Sequence, residues 1–370
     1  MIRAPGGRMR AEYRQKERRV KYWNKRLRDM AEYIPGEQPE NLDEFIKLNT
    51  NENPFPPSPA VLDAIRKAAD SSLRRYPNPT AMSVRQAFAK LNGLAADNVF
   101  VANGSDEIFT LLLRGFVETD ALAAFPYPSY SLYYTLAEAN GVRYERIPLT
   151  KELDIHFADF LRKKYALVIV CNPNNPTGKG VDLNALGSFA ARFKGLLVVD
   201  EAYVDFYGET AIDLVREFDN IIVTRSFSKS YSLAGLRIGI AVAHADIIRG
   251  FIKLKDSYNV DRLAEAGALA ALADQKGFKY NIGMVRDNKE FLEQRLEELG
   301  FGIVPSKANF LLVRHPDVPA KKLYEELYAR KILVRYFSGP VQSEYVRISV
   351  GTMMELRALV KELESIIKGE

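Results

Sequence analysis

The sequence predicts an α/β protein: a large domain with a mainly parallel, mixed sheet sandwiched by helices, joined to a smaller α+β domain. Three observations lead there. Between residues 98 and 243, short runs of continuous apolar residues alternate with helix-length stretches, the pattern of strands covered on both faces. After about residue 247 the texture changes to long helices and short strands of antiparallel character. The length of 370 residues suits one large domain and a smaller one. The expected divisions are a basic N-terminal arm, 1–32; a segment joining the small domain, 33–75; the large domain, 76–275; and the small domain, 276–370.

The elements follow in order. Residues 11 to about 33 can form a helix, with Tyr13, Val20, Trp23, Leu27 and Met30 as an irregular apolar stripe, stopped by Pro35-Gly36. Leu48 to Pro59 is too rich in proline and asparagine for regular structure. A helix is expected over 60–72, an extended loop over 74–79 and a helix over 81–91. Strand 98–102 runs through Asn103-Gly104-Ser105-Asp106-Glu107 into an apolar helix over 108–117. Such a helix start, capped by Ser or Asp, offers backbone N–H groups and a positive dipole end to an anion. Strands 121–125, 142–147, 166–171, 196–200, 220–224 and 239–243, with helices 129–140 and 182–193, continue the alternation. Helices 246–256, 262–275 and 278–299 lead to strand 310–314, helix 319–330, strands 332–336 and 345–350, and a closing helix over 353–368.

Composition excludes several classes. A chain that is 47% hydrophobic and 27% charged is ordinary for a soluble globular protein. No run approaches the ~18 apolar residues of a membrane span. The net charge of +5 is carried by residues 1–28, where eleven Lys and Arg face Glu12 and Glu17, so the remainder nets −4. The basicity belongs to the amino terminus, and the body gives no reason to expect a nucleic-acid partner. The arm lacks the apolar core of a secretory signal and contains no serine, unlike most transit peptides. The single cysteine, Cys171, permits no intrachain disulfide and points to a reducing, cytoplasmic compartment. His156, His244 and His315 are scattered, and no metal-ligand spacing occurs.

The chemistry centres on Lys229. A lysine at a strand end is ordinarily a solvated charge. Here Ser226 and Ser228 offer hydroxyls and Arg237, eight positions on, offers a forked cation, so an anion can be held beside an amine able to condense with a carbonyl. Asp200 ends a very apolar strand; it is either a cap or turn residue, or a carboxylate that holds a protonated ring nitrogen. Tyr203 either packs or donates to a phenolate oxygen, and Tyr130 either packs or stacks on a flat ring. Arg335 and Arg347 lie in apolar strands, on an exposed face or as readers of carboxylate or phosphate. Asn175, Asp200, Tyr203 and Lys229 all follow predicted strands and can converge beyond the strand carboxyl ends.

The joint order of these motifs decides among the alternatives. It runs Asn-Gly-Ser-Asp-Glu (103–107), Pro-Ser-Tyr (128–130), Asn-Pro-Asn-Asn-Pro-Thr-Gly (172–178), Asp-Glu-Ala-Tyr (200–203), Ser-Phe-Ser-Lys-Ser (226–230), Gly-Leu-Arg-Ile-Gly (235–239) and Val-Arg-Ile-Ser-Val-Gly-Thr (346–352). From about Tyr33 to the carboxyl terminus the chain resembles the fold-type I, pyridoxal-phosphate-dependent aminotransferases of class I/II. Leu-Asn-Thr-Asn-Glu-Asn-Pro (48–54), Arg-Tyr-Pro (75–77) and Ser-Lys-Ser-Tyr-Ser-Leu-Ala-Gly-Leu-Arg (228–237) look like the histidinol-phosphate aminotransferases in particular.

The resemblance implies pyridoxal 5′-phosphate as cofactor. Lys229 would bond it and then carry a proton; Asp200 would hold its ring nitrogen; Tyr203 and Asn175 would bind its phenolic oxygen; Tyr130 would stack on its ring. Its phosphate would sit at Gly104, Ser105 and Asp106, with Ser226, Ser228 and Arg237. Tyr76 would reach that phosphate from a second subunit, making an obligate homodimer. Arg347 would take the substrate α-carboxylate; Tyr33, Tyr258 and Arg335 would surround the substrate phosphate; Asn49 would lie in the substrate-side loop. The implied reaction passes an amino group from glutamate, which leaves as 2-oxoglutarate, to imidazole acetol phosphate, giving L-histidinol phosphate in histidine biosynthesis. The alternatives are an aromatic amino-acid aminotransferase or a threonine-phosphate decarboxylase on the same framework, and a non-catalytic regulator whose basic arm binds nucleic acid. One departure stands out: the family often has Asn-Val-Asn at 259–261, whereas this chain has Asn259-Val260-Asp261-Arg262. A carboxylate beside a phosphate site is unfavourable unless Arg262 offsets it.

Overall fold

The computed structural model describes residues 21–369. Most of the basic arm, and much of the helix expected over 11–33, lies outside the described residues; the described part contains a short helix, Lys25–Asp29. Strands are numbered along the chain, beginning with the two-residue β1, Ile46–Lys47. The main sheet consists of β2 (Val99–Asn103), β3 (Leu122–Tyr127), β4 (Arg143–Pro148), β5 (Leu167–Cys171), β6 (Leu196–Asp200), β7 (Ile221–Ser226) and β8 (Ile238–Ala243). Their spatial order is β2-β8-β7-β6-β5-β3-β4. Strands β3 to β7 run parallel, and β8 is antiparallel to both its neighbours, so the sheet is mixed.

The central strands are continuous apolar runs because both faces are covered. In β5, Val168 and Val170 enter a core with Phe88 of helix Met82–Leu91 and Phe189 of helix Leu183–Arg192. The alternate residues Leu167, Ile169 and Cys171 enter the opposite core, with Phe109 and Leu112 of helix Gly104–Gly115 and Tyr133 of helix Leu132–Asn140. A period of two thus divides one strand between two layers.

The second region holds β9 (Gly302–Val304), β10 (Phe310–Arg314), β11 (Ile332–Leu333), β12 (Arg335–Tyr336) and β13 (Val346–Ser349). An antiparallel sheet of order β12-β13-β10-β9 packs on helices Gln275–Glu298, Ala320–Ala329 and Met353–Lys368, around Phe310, Leu323 and Leu356. The single strand expected over 332–336 is divided. Ile332–Leu333 pairs in parallel with β1, and Arg335–Tyr336 pairs with β13. The chain changes sheets at Val334, whose side chain is buried in the core between them. Between 33 and 75 the packing is also divided: Leu48 belongs to the second core, whereas Val61 of helix Pro59–Ala68 belongs to the first.

Among the described residues no helix is long and apolar enough to cross a membrane, and no cluster of three or more His, Cys, Asp or Glu can hold a metal ion.

Candidate active site

The carboxyl ends of β5, β6 and β7 border a cavity of about 380 Å³, which the second region closes from the other side. Every residue expected at the site lines it except Gly104, Tyr76 and Tyr258.

Lys229 stands on the turn after β7. That turn is stapled at both ends to one carboxylate. Arg225 pairs with Asp205 on its N-terminal side, and the Ser230 hydroxyl donates to Asp205 at 2.5 Å on the other. The Lys229 Nζ donates to the Thr50 carbonyl at 2.8 Å. Burial chiefly, then the cations of Arg347, Lys47 and Arg237 against the opposing Glu52, lowers the amine's pKa to about 8. A lysine so placed is neutral far more often than one in water.

Asp200, the last residue of β6, is 3% exposed. Its Oδ1 accepts from the Thr224 hydroxyl at 3.1 Å and the Ala202 N–H at 3.2 Å, and Oδ2 accepts from the Tyr133 hydroxyl. Burial raises its pKa to about 6, although those three hydrogen bonds pull the other way. No ion pair to Asp200 exists among the described residues, so a buried carboxylate faces the cavity without a cation. A protonated ring nitrogen would supply one.

The anion cup differs from expectation in one respect. Helix Gly104–Gly115 begins directly at the end of β2, and Asn103 makes no side-chain cap bond, so no Ser or Asp caps it. Gly104 takes φ +76°, which turns the chain at once and puts Ser105 and Asp106 inside the first turn. A Cβ on Gly104 would come within 2.6 Å of Arg237 Nη2. Arg237 therefore lies across the helix start, pairing with Asp106 at 3.1 Å and reaching Ser228 Oγ at 3.3 Å. Ser226 Oγ accepts from the Ser228 N–H at 3.2 Å. Uncapped amides, two hydroxyls and a guanidinium form a cup suited to a phosphate.

Arg347, in the middle of β13, is 5% exposed. Its Nη1 donates to Asn175 Oδ1 at 2.5 Å and its Nη2 to the Asn49 carbonyl at 2.6 Å. Its Nε is buried without a partner, and no carboxylate pairs with it among the described residues. A buried guanidinium in that condition is complementary to an incoming carboxylate. Arg335, directly opposite on β12, donates to the carbonyls of Pro35 and Ile34 at 2.9 and 3.0 Å. Those bonds hold the segment carrying Tyr33 against the cavity, where the Tyr33 ring meets Tyr130 edge-on at 6.4 Å. Tyr130 in turn meets Tyr133 edge-on at 5.4 Å.

Tyr76 and Tyr258 lie outside the cavity. They stack on each other at 4.3 Å and are 77% and 44% exposed. Asp261 brings no carboxylate into its own chain's cavity. Its carboxylate caps helix Arg262–Ala273, accepting from the Leu263 and Ala264 N–H groups at 2.9 Å each, and Asp261 does not line the cavity.

Some residues of the site escaped the sequence reading. Tyr133 and Thr224 hold Asp200, and Asn51, at φ +56°, donates to Tyr203. Tyr133 carried a usable signal, one helical turn beyond Tyr130. Asn51 sits in a motif already noted, but nothing local says which of its asparagines turns inward.

Comparison with known proteins identifies the family. The family model for aminotransferase class I and II matches residues 43–363. A curated histidinol-phosphate aminotransferase of Citrifermentans bemidjiense is 44% identical over 93% of this chain and 98% of its own length. One of Trichormus variabilis is 40% identical over 94% and 99%. The crystal structure of the Sinorhizobium meliloti histidinol-phosphate aminotransferase, in complex with pyridoxal-5′-phosphate, superposes with a TM-score of 0.86 at 26% identity, covering 94% of this chain and 98% of that one. A family match across most of the sequence and relatives covered nearly end to end leave one conclusion: the chain belongs to the class I and II aminotransferases.

Proposed function

We propose that this aminotransferase is a pyridoxal 5′-phosphate-dependent histidinol-phosphate:2-oxoglutarate aminotransferase acting in histidine biosynthesis. The observation that carries the reading is Arg347: buried, lacking an acidic partner, with its Nε unpaired, and lining the cavity that holds Lys229 and Asp200. A guanidinium so prepared suits the α-carboxylate of glutamate and the equivalent face of 2-oxoglutarate.

Pyridoxal 5′-phosphate, when bound, supplies a carbonyl that condenses with amines and a ring that draws electrons from the adjoining carbon. The chain's residues do the rest. Asp200 holds the ring nitrogen, Tyr203 and Asn175 the phenolic oxygen, and Tyr130 the ring face. The helix start at Gly104, Ser105 and Asp106 holds the phosphate, with Ser226, Ser228 and Arg237. Lys229, its amine lowered to a pKa of about 8, would bond the cofactor's carbonyl carbon and would hold the proton of the substrate α-carbon. Arg335 and Tyr33 receive the substrate phosphate, with Asn49 fixing Arg347 from behind. Tyr76 and Tyr258, exposed on their own chain, serve the cavity of a second subunit, so the working enzyme is a homodimer. The large domain, 76–275, binds the cofactor, and the small domain, 276–370, brings the substrate arginines. The lone buried cysteine suits the cytoplasm.

The test is a panel of amino donors with purified enzyme and 2-oxoglutarate: histidinol phosphate, histidinol, phenylalanine and phosphothreonine. Histidinol phosphate should lead in kcat/KM, and Arg335→Gln should lower its value by roughly 10–100-fold while sparing phenylalanine. A preference for phenylalanine would make the protein an aromatic aminotransferase. Carbon dioxide released from phosphothreonine would make it a decarboxylase.

A further inference from the structure

The loop Asn49–Asn51 touches three residues of the site at once. The Asn49 carbonyl accepts from Arg347, the Thr50 carbonyl accepts from Lys229, and the Asn51 amide donates to Tyr203. Asn51 is 1% exposed and adopts φ +56°, a conformation that asparagine tolerates better than most residues. Its backbone is tied on both sides. The N–H donates to Ser349 Oγ at 2.9 Å, and the carbonyl accepts from Asn309 Nδ2 at 3.1 Å.

Both polar atoms of the Asn51 side chain are engaged. Ser349 Oγ donates to Asn51 Oδ1 at 2.9 Å, so the oxygen of the amide faces Ser349 and Nδ2 faces Tyr203. Nδ2 donates to the Tyr203 hydroxyl oxygen at 3.1 Å. An amide N–H cannot accept, so the phenolic proton must point elsewhere. No acceptor for it exists among the described residues, and the remaining open direction is the cavity that Tyr203 lines.

We propose that Asn51 is a positioning residue: held by Ser349, it directs the Tyr203 O–H proton into the cavity, toward the phenolic oxygen of the bound cofactor. This rests on the reading that Tyr203 binds that oxygen. Around the Tyr203 ring the charged or titratable groups are Arg347, Asp200, Cys171 and the Lys229 amine, which lies 6.0 Å from the ring centroid.

Asn51→Gly is a clean perturbation. Glycine accepts φ +56° without strain, and both backbone bonds survive, so only the amide pair is lost. Ser349→Ala is the second variant, releasing the amide that the serine pins. The readout is the pH titration of cofactor absorbance in the loaded, resting enzyme. A hydrogen bond donated to the phenolic oxygen favours its ionised form and lowers the apparent pKa of the chromophore. Tyr203→Phe should raise that pKa, and Asn51→Gly should raise it in the same direction by roughly 0.5–1 unit, the worth of one hydrogen bond. Ser349→Ala should give a smaller rise. In the Tyr203→Phe background, Asn51→Gly should add nothing. If Tyr203→Phe leaves the titration unmoved, the reading of Tyr203 fails. If Tyr203→Phe shifts it and Asn51→Gly does not, or shifts it equally without the Tyr203 hydroxyl, the assignment of Asn51 is overturned.

Discussion

Replacing Asp200 by asparagine should make the cofactor-free protein more stable and the loaded enzyme nearly inactive. The side chain is buried, and its folded pKa of about 6 lies above the ordinary 3.8. The sign follows from proton uptake. Between the two values the native state holds a proton that the unfolded chain has lost, so stability falls as pH rises through that window and stays lowered above it. The shift of about two units corresponds to about 3 kcal/mol at pH 8 and about half of that at pH 5. Asparagine removes the charge and orphans little. Its oxygen can keep the Thr224 and Ala202 bonds, and its amide can donate to the Tyr133 hydroxyl, which then accepts instead of donating. Allowing for less favourable hydrogen bonds, a gain of roughly 1–3 kcal/mol is expected at pH 8. The assay is urea unfolding of cofactor-free wild type and variant at pH 8 and pH 5. The loaded variant should lose about 10²–10³-fold in kcat, because the cofactor's ring nitrogen loses its anionic partner. A variant no more stable at pH 8, or one with the same gain at both pH values, refutes the reasoning.

Other outcomes follow from the same geometry. Arg347→Ala should lower kcat/KM for glutamate by roughly 10²–10³-fold, since it removes a buried fork and leaves the Asn49 carbonyl and Asn175 Oδ1 without their donor; steady-state kinetics with and without added guanidinium would check it. Asp261→Ala should cost about 1 kcal/mol of stability through the lost helix cap. It should leave the ratio of histidinol phosphate to phenylalanine turnover unchanged, because the carboxylate is engaged by the amides of its own helix.

Much of the fold was legible because its signals are local. The strands β5 to β7 are runs of Leu, Val and Ile bounded by helix-length stretches, and they form within a residue or two of expectation. Strand β12 was harder. Ile332 to Tyr336 reads as one extended run, and only pairing with two different partners divides it. The helix start at Gly104 was moved by a single positive φ that a glycine permits but does not announce.

For the site, the sequence by itself determined the cast: the lysine among hydroxyls, the aspartate ending an apolar strand, and the arginines of two short strands. These belong to motifs whose members lie within a few positions of one another. Only the tertiary structure decided who touches whom. It put the Thr50 carbonyl on Lys229 from 179 residues away and Ser349 on Asn51 from 298 away. It turned Asp261 into a helix cap and set Tyr76 and Tyr258 outside their own chain's cavity. The physical reason is that hydrogen-bond partners and desolvation depend on which distant surfaces meet, and short-range sequence patterns do not encode that meeting.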